Sequence, residues 1–314
     1  MEKADYLEME QRIGSTHLSE RLHIQSGKAV KLLHHGEGIF RVERFLPIDT
    51  LLALGLHASG LGRLVRKNFL GVRVVEQEWT LPRLPAAFDG FRLLQLTDLH
   101  LDLDPSLTAV IERLAQATPH DAAVVTGDYR NKTDGDSGPC LREMARVTNA
   151  LAPLRWGILG NHDFIEMVPP LERTGLPVLL NESVAIRRGD EELWIAGIDD
   201  PHFYKTHDLA KARAAAPSNA CLILLAHSPE VYPQAEPFGF DLQLSGHTHG
   251  GQICLPGGRA VVFSCKVDHP FIKGRWRHGS LQGYTSPGCG SCTIAARLNC
   301  PPEITLHILR RPAA

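Results

Sequence analysis

Five short apolar runs in this chain each stop at side chains that can bind a metal, and this recurring arrangement constrains the fold more than any other feature. "FRLLQLTDLH" leads into Asp98 and His100, "AAVVTGD" into Gly127 and Asp128, and "RWGILGNHD" into Asn161, His162 and Asp163. "CLILLAH" closes on His227, and "DLQLSGHTH" on His247 and His249, with Gly246, Gly250 and Gly251 around them. Short runs that are apolar throughout suit strands buried on both faces. In open α/β sheets, ligands gather beyond the carboxyl ends of the strands. Strands in register would therefore deliver all five sets of terminal side chains to one rim.

The rest of the chain fits that picture. Further strands are expected at "VRVVEQEW", at "EITLHIL", and at "SVAIRR" and "ELWIAGI", with Gly189-Asp190 turning a hairpin between the last two. Helical patterns fall near residues 106–117, 140–150, 208–215 and 229–235. Alternating strands and helices indicate an α/β fold. Two facing mixed β-sheets flanked by helices accommodate this many strands. A length of 314 residues allows one or two domains. The texture divides it into an N-terminal helical extension, 1–71, and a domain of alternating strands and helices, 72–314, that carries all five strand ends.

Charge and cysteine usage exclude some functions. Lys plus Arg is 33 against 35 for Asp plus Glu, which argues against a nucleic-acid partner needing a broad basic footprint. Seven cysteines, an odd number scattered through apolar runs, suit a reducing compartment rather than a disulfide framework. Cys289-Gly-Ser-Cys292 reads as loop cysteines, with a structural metal or redox pair as the alternative. The start, "MEKADYLEMEQRIG", is not a secretory signal. Residues 45–70 contain Pro47, Asp49 and His57 and make a poor spanning helix. Within 49–70, Leu51, Leu54, Ala58, Leu61 and Val65 recur at helical spacing, and Arg63, Arg66 and Lys67 cluster at the end. Such a helix can lie in a membrane interface, or simply pack on its own protein. The expected location is the cytoplasm, with peripheral contact at the cytoplasmic face of the membrane.

Asp98-Leu-His100, Gly127-Asp128, Gly160-Asn161-His162-Asp163, His227 and Gly246-His247-Thr248-His249 together resemble the motif set of the calcineurin-like metallophosphoesterases, over about residues 91–309. "SGHTHGGQ" and "YTSPGCGSCTIAARLNCPPEITL" resemble a bacterial phosphodiesterase branch. That branch includes membrane-associated hydrolases of UDP-diacylglucosamine in lipid A synthesis. The resemblance implies a four-layer fold and two metal ions. Asp98, His100 and His249 would hold one, Asn161, His227 and His247 the other, with Asp128 bridging. It makes His162 the proton donor to the leaving oxygen.

The residues themselves are consistent with this chemistry. Carboxylate, imidazole and amide donors without a thiolate point to Mn2+, Fe or Zn2+ rather than a structural zinc, and the plentiful oxygens place Mn2+ first. Two divalent ions outweigh Asp98 and Asp128, so the site attracts an anion and stabilises the charge of a phosphorane-like transition state. Ions about 3.5–4 Å apart also acidify water and brace an in-line displacement. No GxSxG or P-loop offers a side-chain nucleophile. His162 follows the ligand Asn161 and so faces elsewhere. Asp163 would orient the His162 imidazole or cap the following turn. Arg130 would hold a substrate phosphate or lie on the surface.

The leading expectation is a two-metal hydrolase that cleaves the pyrophosphate of UDP-diacylglucosamine to UMP and an acylated sugar phosphate. Its partner would be a phosphate-containing small-molecule or lipid-linked substrate. A soluble phosphodiesterase acting on nucleotides or nucleic acid is the second reading. A non-catalytic metal-binding scaffold is the third, and the seven intact ligand positions oppose it.

Overall fold

Leu93 and Leu94, neighbours in one buried run, belong to two different cores, and this alternation explains the architecture. The computed structural model describes residues 2–32, 60–260 and 265–312. Successive side chains of a strand point to opposite faces. Leu94, Leu96, Ala123 and Val125 therefore face an outer helical layer, while Leu93, Ala122 and Val124 face a second sheet. In that second sheet Ile223 and Leu225 point inward, and Leu222 and Leu224 meet helices on its far side. The result is helix, sheet, sheet, helix.

Among the described residues, one sheet has five strands, β1 (Arg73–Thr80), β2 (Arg92–Leu96), β3 (Ala122–Val125), β4 (Arg155–Gly157) and β11 (Glu303–Arg310). Their order is β1-β11-β2-β3-β4, with only the β11–β2 pair antiparallel. The other contains β5 (Glu182–Arg188), β6 (Glu191–Gly197), β7 (Cys221–Leu225), β8 (Leu242–Ser245), β9 (Gly274–His278) and β10 (Leu281–Thr285), in the order β5-β6-β7-β8-β10-β9. The expected hairpin forms between β5 and β6, with Gly189 at φ 60 in its turn. The β9–β10 hairpin was not anticipated. In β9 only Trp276 is buried, so this edge strand shows no apolar run to detect.

Among the described residues the α-helices are α1 (Lys3–Ile13), α2 (Ser15–Leu32), α3 (Gly62–Phe69), α4 (Ser106–Ala117), α5 (Gly138–Ala150), α6 (Val168–Arg173), α7 (Leu209–Arg213) and α8 (Tyr232–Ala235). Met9 and Ile13 of α1 and Leu18 of α2 join the core outside the five-stranded sheet. Arg12 bonds Glu172 and Glu182. Residues 49–59 of the segment expected to be interfacial lie outside the described residues. In α3, Val65 and Phe69 are buried and Leu64 is exposed. Among the described residues no helix is long and apolar enough to cross a membrane.

β2, β3 and β4 run parallel, as do β6, β7, β8 and β10. Gln95 of β2 joins the two sets across the sheet interface, donating to Thr126 Oγ1 at 3.0 Å and to the Ser245 carbonyl at 3.1 Å. That tie brings the strand ends bearing Asp98, Asp128 and His247 to one place.

Candidate metal centre

The backbone at the rim is bent in an unusual way. Asp98, His100, Asp128, His247 and His249 all have positive φ, from 45° to 69°. A non-glycine residue in this region is strained by about 1–2 kcal/mol. Such strain persists only where the surroundings impose it, and it concentrates at functional sites. Glycine is required where two rim loops touch. A Cβ on Gly160 would lie 2.2 Å from Asp128 Oδ1, and one on Gly246 would lie 2.3 Å from Asp98 Oδ2.

All seven expected ligand positions converge. His249 Nε2 is 3.5 Å from Asp98 Oδ1, and His227 Nε2 is 3.0 Å from Asn161 Oδ1. Asp128 lies between the two groups, with Oδ2 3.3 Å from His227 Nε2 and 3.7 Å from His100 Nε2. Ligand atoms of Asp128, His227 and His247 all fall within 4.8 Å of one another.

The hydrogen bonds test whether these groups suit a cation. His227 Nδ1 is 2.8 Å from the Thr126 carbonyl, and His100 Nδ1 is 2.8 Å from the Arg130 carbonyl. A carbonyl partner places the proton on Nδ1. In each neutral ring the Nε2 lone pair is then aimed inward. The His227 lone pair meets the oxygens of Asn161 and Asp128, and that of His100 meets His249 Nε2 at 3.2 Å. Lone pairs facing lone pairs in a buried space require a cation or an added proton, so the donor set fits metal ions.

The electrostatics agree. Burial opposes charge on His227, but Asp128 outweighs it and raises the imidazole to about 10. Burial likewise resists ionisation of Asp128, yet His227 and His162 hold its pKa well below the usual carboxylate range. Burial lowers His100 to about 4 and holds His249 well below its ordinary value, with the charges of His100 and Arg297 adding to the effect on His249. Burial lifts Asp98 to about 6, with the nearby Asp128 charge also raising it against the pull of His227.

His162 lies beside the donors. Its Nε2 is 3.9 Å from Asp128 Oδ2, and its Nδ1 is 2.6 Å from the Asn131 carbonyl. Burial disfavours its charge, but Asp128 prevails and raises it to about 9.

Two expectations need correction. Asp163 does not orient the His162 ring, which the Asn131 carbonyl holds instead. The Asp163 carboxylate accepts from the backbone N–H groups of Asp128, Tyr129 and Gly160, at 2.8, 3.0 and 2.8 Å, and so locks two rim loops together. Arg130 is neither on the surface nor open to substrate. It is fully buried, 4.4 Å from the Phe164 ring centroid, and donates to the carbonyls of Asp134 and Gly135.

Other residues at the rim were not foreseen. β6 also ends in acids, Asp199 and Asp200, so the strand-end rule already pointed there. Asp199 receives His17 at 2.8 Å and faces the buried Arg21 of α2, which also donates to the Asp163 carbonyl at 3.1 Å. The His202 ring lies 4.2 Å from that of His247. Arg297 donates to the His249 carbonyl at 2.9 Å. Cys292 and Gln252 complete the wall; both lie in stretches the sequence had marked, the CxxC and "SGHTHGGQ", but nothing there placed them at this centre.

Residues 91–251, just over half of the chain, match the family described as calcineurin-like phosphoesterase. The chain is 28% identical over 228 residues to an uncharacterized metallophosphoesterase of Bacillus subtilis, YkoQ, covering 68% of this chain and 82% of that protein. It is 27% identical over 225 residues to the Escherichia coli phosphodiesterase YaeI, covering 69% of this chain and 81% of the relative. A zebrafish transmembrane protein with a metallophosphoesterase domain is 30% identical over 262 residues, covering 76% of this chain and 57% of that protein. With the family match and a donor set suited to divalent ions, the chain belongs to the calcineurin-like phosphoesterases and is a metal-dependent hydrolase of phosphate esters.

Proposed function

We propose that the centre holds two divalent ions and hydrolyses a phosphoanhydride or phosphodiester. Asp98, His100 and His249 take one ion, Asn161, His227 and His247 take the other, and Asp128 bridges. The observation that carries this reading is the position of Asp128, within 3.3–3.7 Å of an imidazole from each set. The oxygen donors Asp98, Asp128 and Asn161 favour Mn2+, with Fe or Zn2+ as the alternatives. Ions held there supply Lewis-acid charge and acidify water.

The protein's own side chains do the rest. His162, fixed through Nδ1 by Asn131, presents Nε2–H toward the centre and gives its proton to the leaving oxygen. Asp163 holds the loops of Asp128 and Gly160 at a constant separation. Residues 72–314 act as the catalytic domain, and the extension buttresses it.

The substrate we assign is UDP-diacylglucosamine, cleaved at its pyrophosphate to UMP and an acylated sugar phosphate. Exposed Leu64 beside the basic residues of α3 supports a lipid-facing element at the cytoplasmic side of a membrane. A cleft lined by Leu22, His23, Gln25, Phe164 and Glu166 adjoins the His162 loop and offers room for a bulky group. The second reading is a phosphodiesterase acting on nucleotides or nucleic acid, and the name of the Escherichia coli relative supports it as far as the phosphodiester bond. Metal-loaded protein incubated with UDP-diacylglucosamine in detergent should release UMP. Turnover of nucleotide diesters with no UMP from the lipid would overturn the lipid assignment and leave the two-metal hydrolysis standing.

A further inference from the structure

The sequence suggested a centre without sulfur, but a cysteine from a distant loop reaches it. Cys292 Sγ and the ring nitrogens of His100 and His249 all lie within 4.8 Å of one another. We infer that Cys292 is a thiolate ligand of the ion held by Asp98, His100 and His249, an inference that rests on the two-metal reading above.

The spacing is close to what one ion demands. Metal–nitrogen bonds of about 2.1 Å and metal–sulfur bonds of about 2.3 Å place neighbouring ligands roughly 3.6 Å apart at a tetrahedral centre. A side-chain shift of about 1 Å closes the set. The His100 lone pair is already aimed inward, because its Nδ1 is committed to the Arg130 carbonyl.

Cys292 is also held in place. Its N–H donates to Gln252 Oε1 at 2.8 Å, and Gln252 Nε2 donates to its carbonyl at 3.0 Å. The next residue, Thr293, has φ 69 and donates its N–H to Asn131 Oδ1 at 2.9 Å. Gln252 follows the His249 turn, and Asn131 holds His162. The sulfur is thus fixed relative to both a ligand and the proton donor, with His162 Nε2 3.9 Å away. Cys289, three residues earlier, differs. It is fully buried and its thiol donates to the Glu303 carbonyl at 3.1 Å.

Ligation converts the Cys292 thiol to a thiolate and releases its proton to solvent. Sulfur selects zinc, cobalt or ferrous iron over manganese and magnesium, so the two ions would differ in kind. Cys292 is half-buried, so the sulfur stands on the open side of the set, where an incoming phosphate oxygen can displace it.

The test uses full-length protein stripped with chelator and reloaded with cobalt(II), with cobalt content measured on every sample. The expected result is a thiolate-to-cobalt charge-transfer absorption in the near ultraviolet. It should be lost in Cys292→Ser and Cys292→Ala and kept in Cys289→Ser. Competition between zinc and manganese should shift toward manganese by about tenfold or more in Cys292→Ser. Bound cobalt without that absorption in the parent protein, or the same absorption in Cys292→Ser, overturns the thiolate and leaves the two-metal reading intact. Protein that takes up no cobalt, zinc or manganese overturns both.

Discussion

The two sheets contribute different chemistry to the centre. Strands β2, β3 and β4 end in Asp98, Asp128 and Asn161, so the five-stranded sheet supplies every oxygen donor of the proposed set, along with His100 and the proposed proton donor His162. Strands β7 and β8 end in His227, His247 and His249, and the six-stranded sheet supplies imidazoles alone. One half brings the negative charge that attracts cations, and the other closes neutral nitrogens over them. Ions bound there would act as a further cross-link between layers that also meet through an apolar core and polar ties such as Gln95–Ser245, His227–Thr126 and Tyr284–Glu303.

This contrast can be broken most severely at Asp128. Asp128→Asn removes the charge touched by imidazoles of both sheets, and turnover should fall into the uncatalysed background while metal content drops below two per chain. His249→Ala takes one neutral donor from the other sheet and should leave measurable turnover. Equal losses would show that the two halves are not unequal after all.

His162→Ala sharpens the distinction between ligands and the proton donor. Loss of a general acid typically costs about 10²–10⁴-fold in kcat, and both metals should remain bound. Asp163→Asn should cost about 10–100-fold, in the range seen for groups that position ligands. Its amide would turn an N–H donor toward backbone donors. A fall in bound metal accompanying the lost rate would fit this loop-locking role, and unchanged kinetics would contradict it.

Chelation tests the cross-link itself. Metal at about 100 times its dissociation constant stabilises a fold by roughly 2.7 kcal/mol, and this should be lost with EDTA. The apoprotein should also acquire a pH dependence. His162 and His227 are raised to about 9 and about 10 from 6.5. A raised histidine contributes stability that is complete below its unfolded value and is lost as pH rises through the folded one. The melting temperature of the chelated protein should therefore decline between pH 7 and 10. Metal-loaded protein should show a flatter profile, because an ion takes the place of the His227 proton. The smallest effect is expected for Arg12→Ala, remote from both sets of strand ends. It removes half-buried ion pairs worth about 1 kcal/mol or less and should leave metal content unchanged.

The convergence of the seven positions was legible because each is announced by a buried run and set at its carboxyl end, a pattern that depends only on period and position. The fold was legible for the same reason, apart from β9, where charged edge residues hide the strand, and β10, a five-residue stretch broken by Gln282 and Gly283. The roles of Asp163 and Arg130 were not legible. Adjacency in sequence suggested that Asp163 serves His162, but its carboxylate points at backbone 34 and 35 residues away. Cys292, Gln252 and Arg297 come from irregular segments with no periodicity, and only the tertiary fold brings them to the rim. Asp199 was within reach of the strand-end rule, because "WIAGIDD" follows the same form.

The docking of α1 and α2 has a consequence for how the protein is made. Arg12 reaches Glu182 across 170 residues of chain, and His17 reaches Asp199 across 182. At a synthesis rate of about 5–20 residues per second, these helices leave the ribosome roughly ten to thirty seconds before their receiving surface exists. During that interval Met9, Ile13 and Leu18 have no groove to enter, and the nascent chain carries an unsheltered oily stripe. Chaperone demand during translation should follow from that delay.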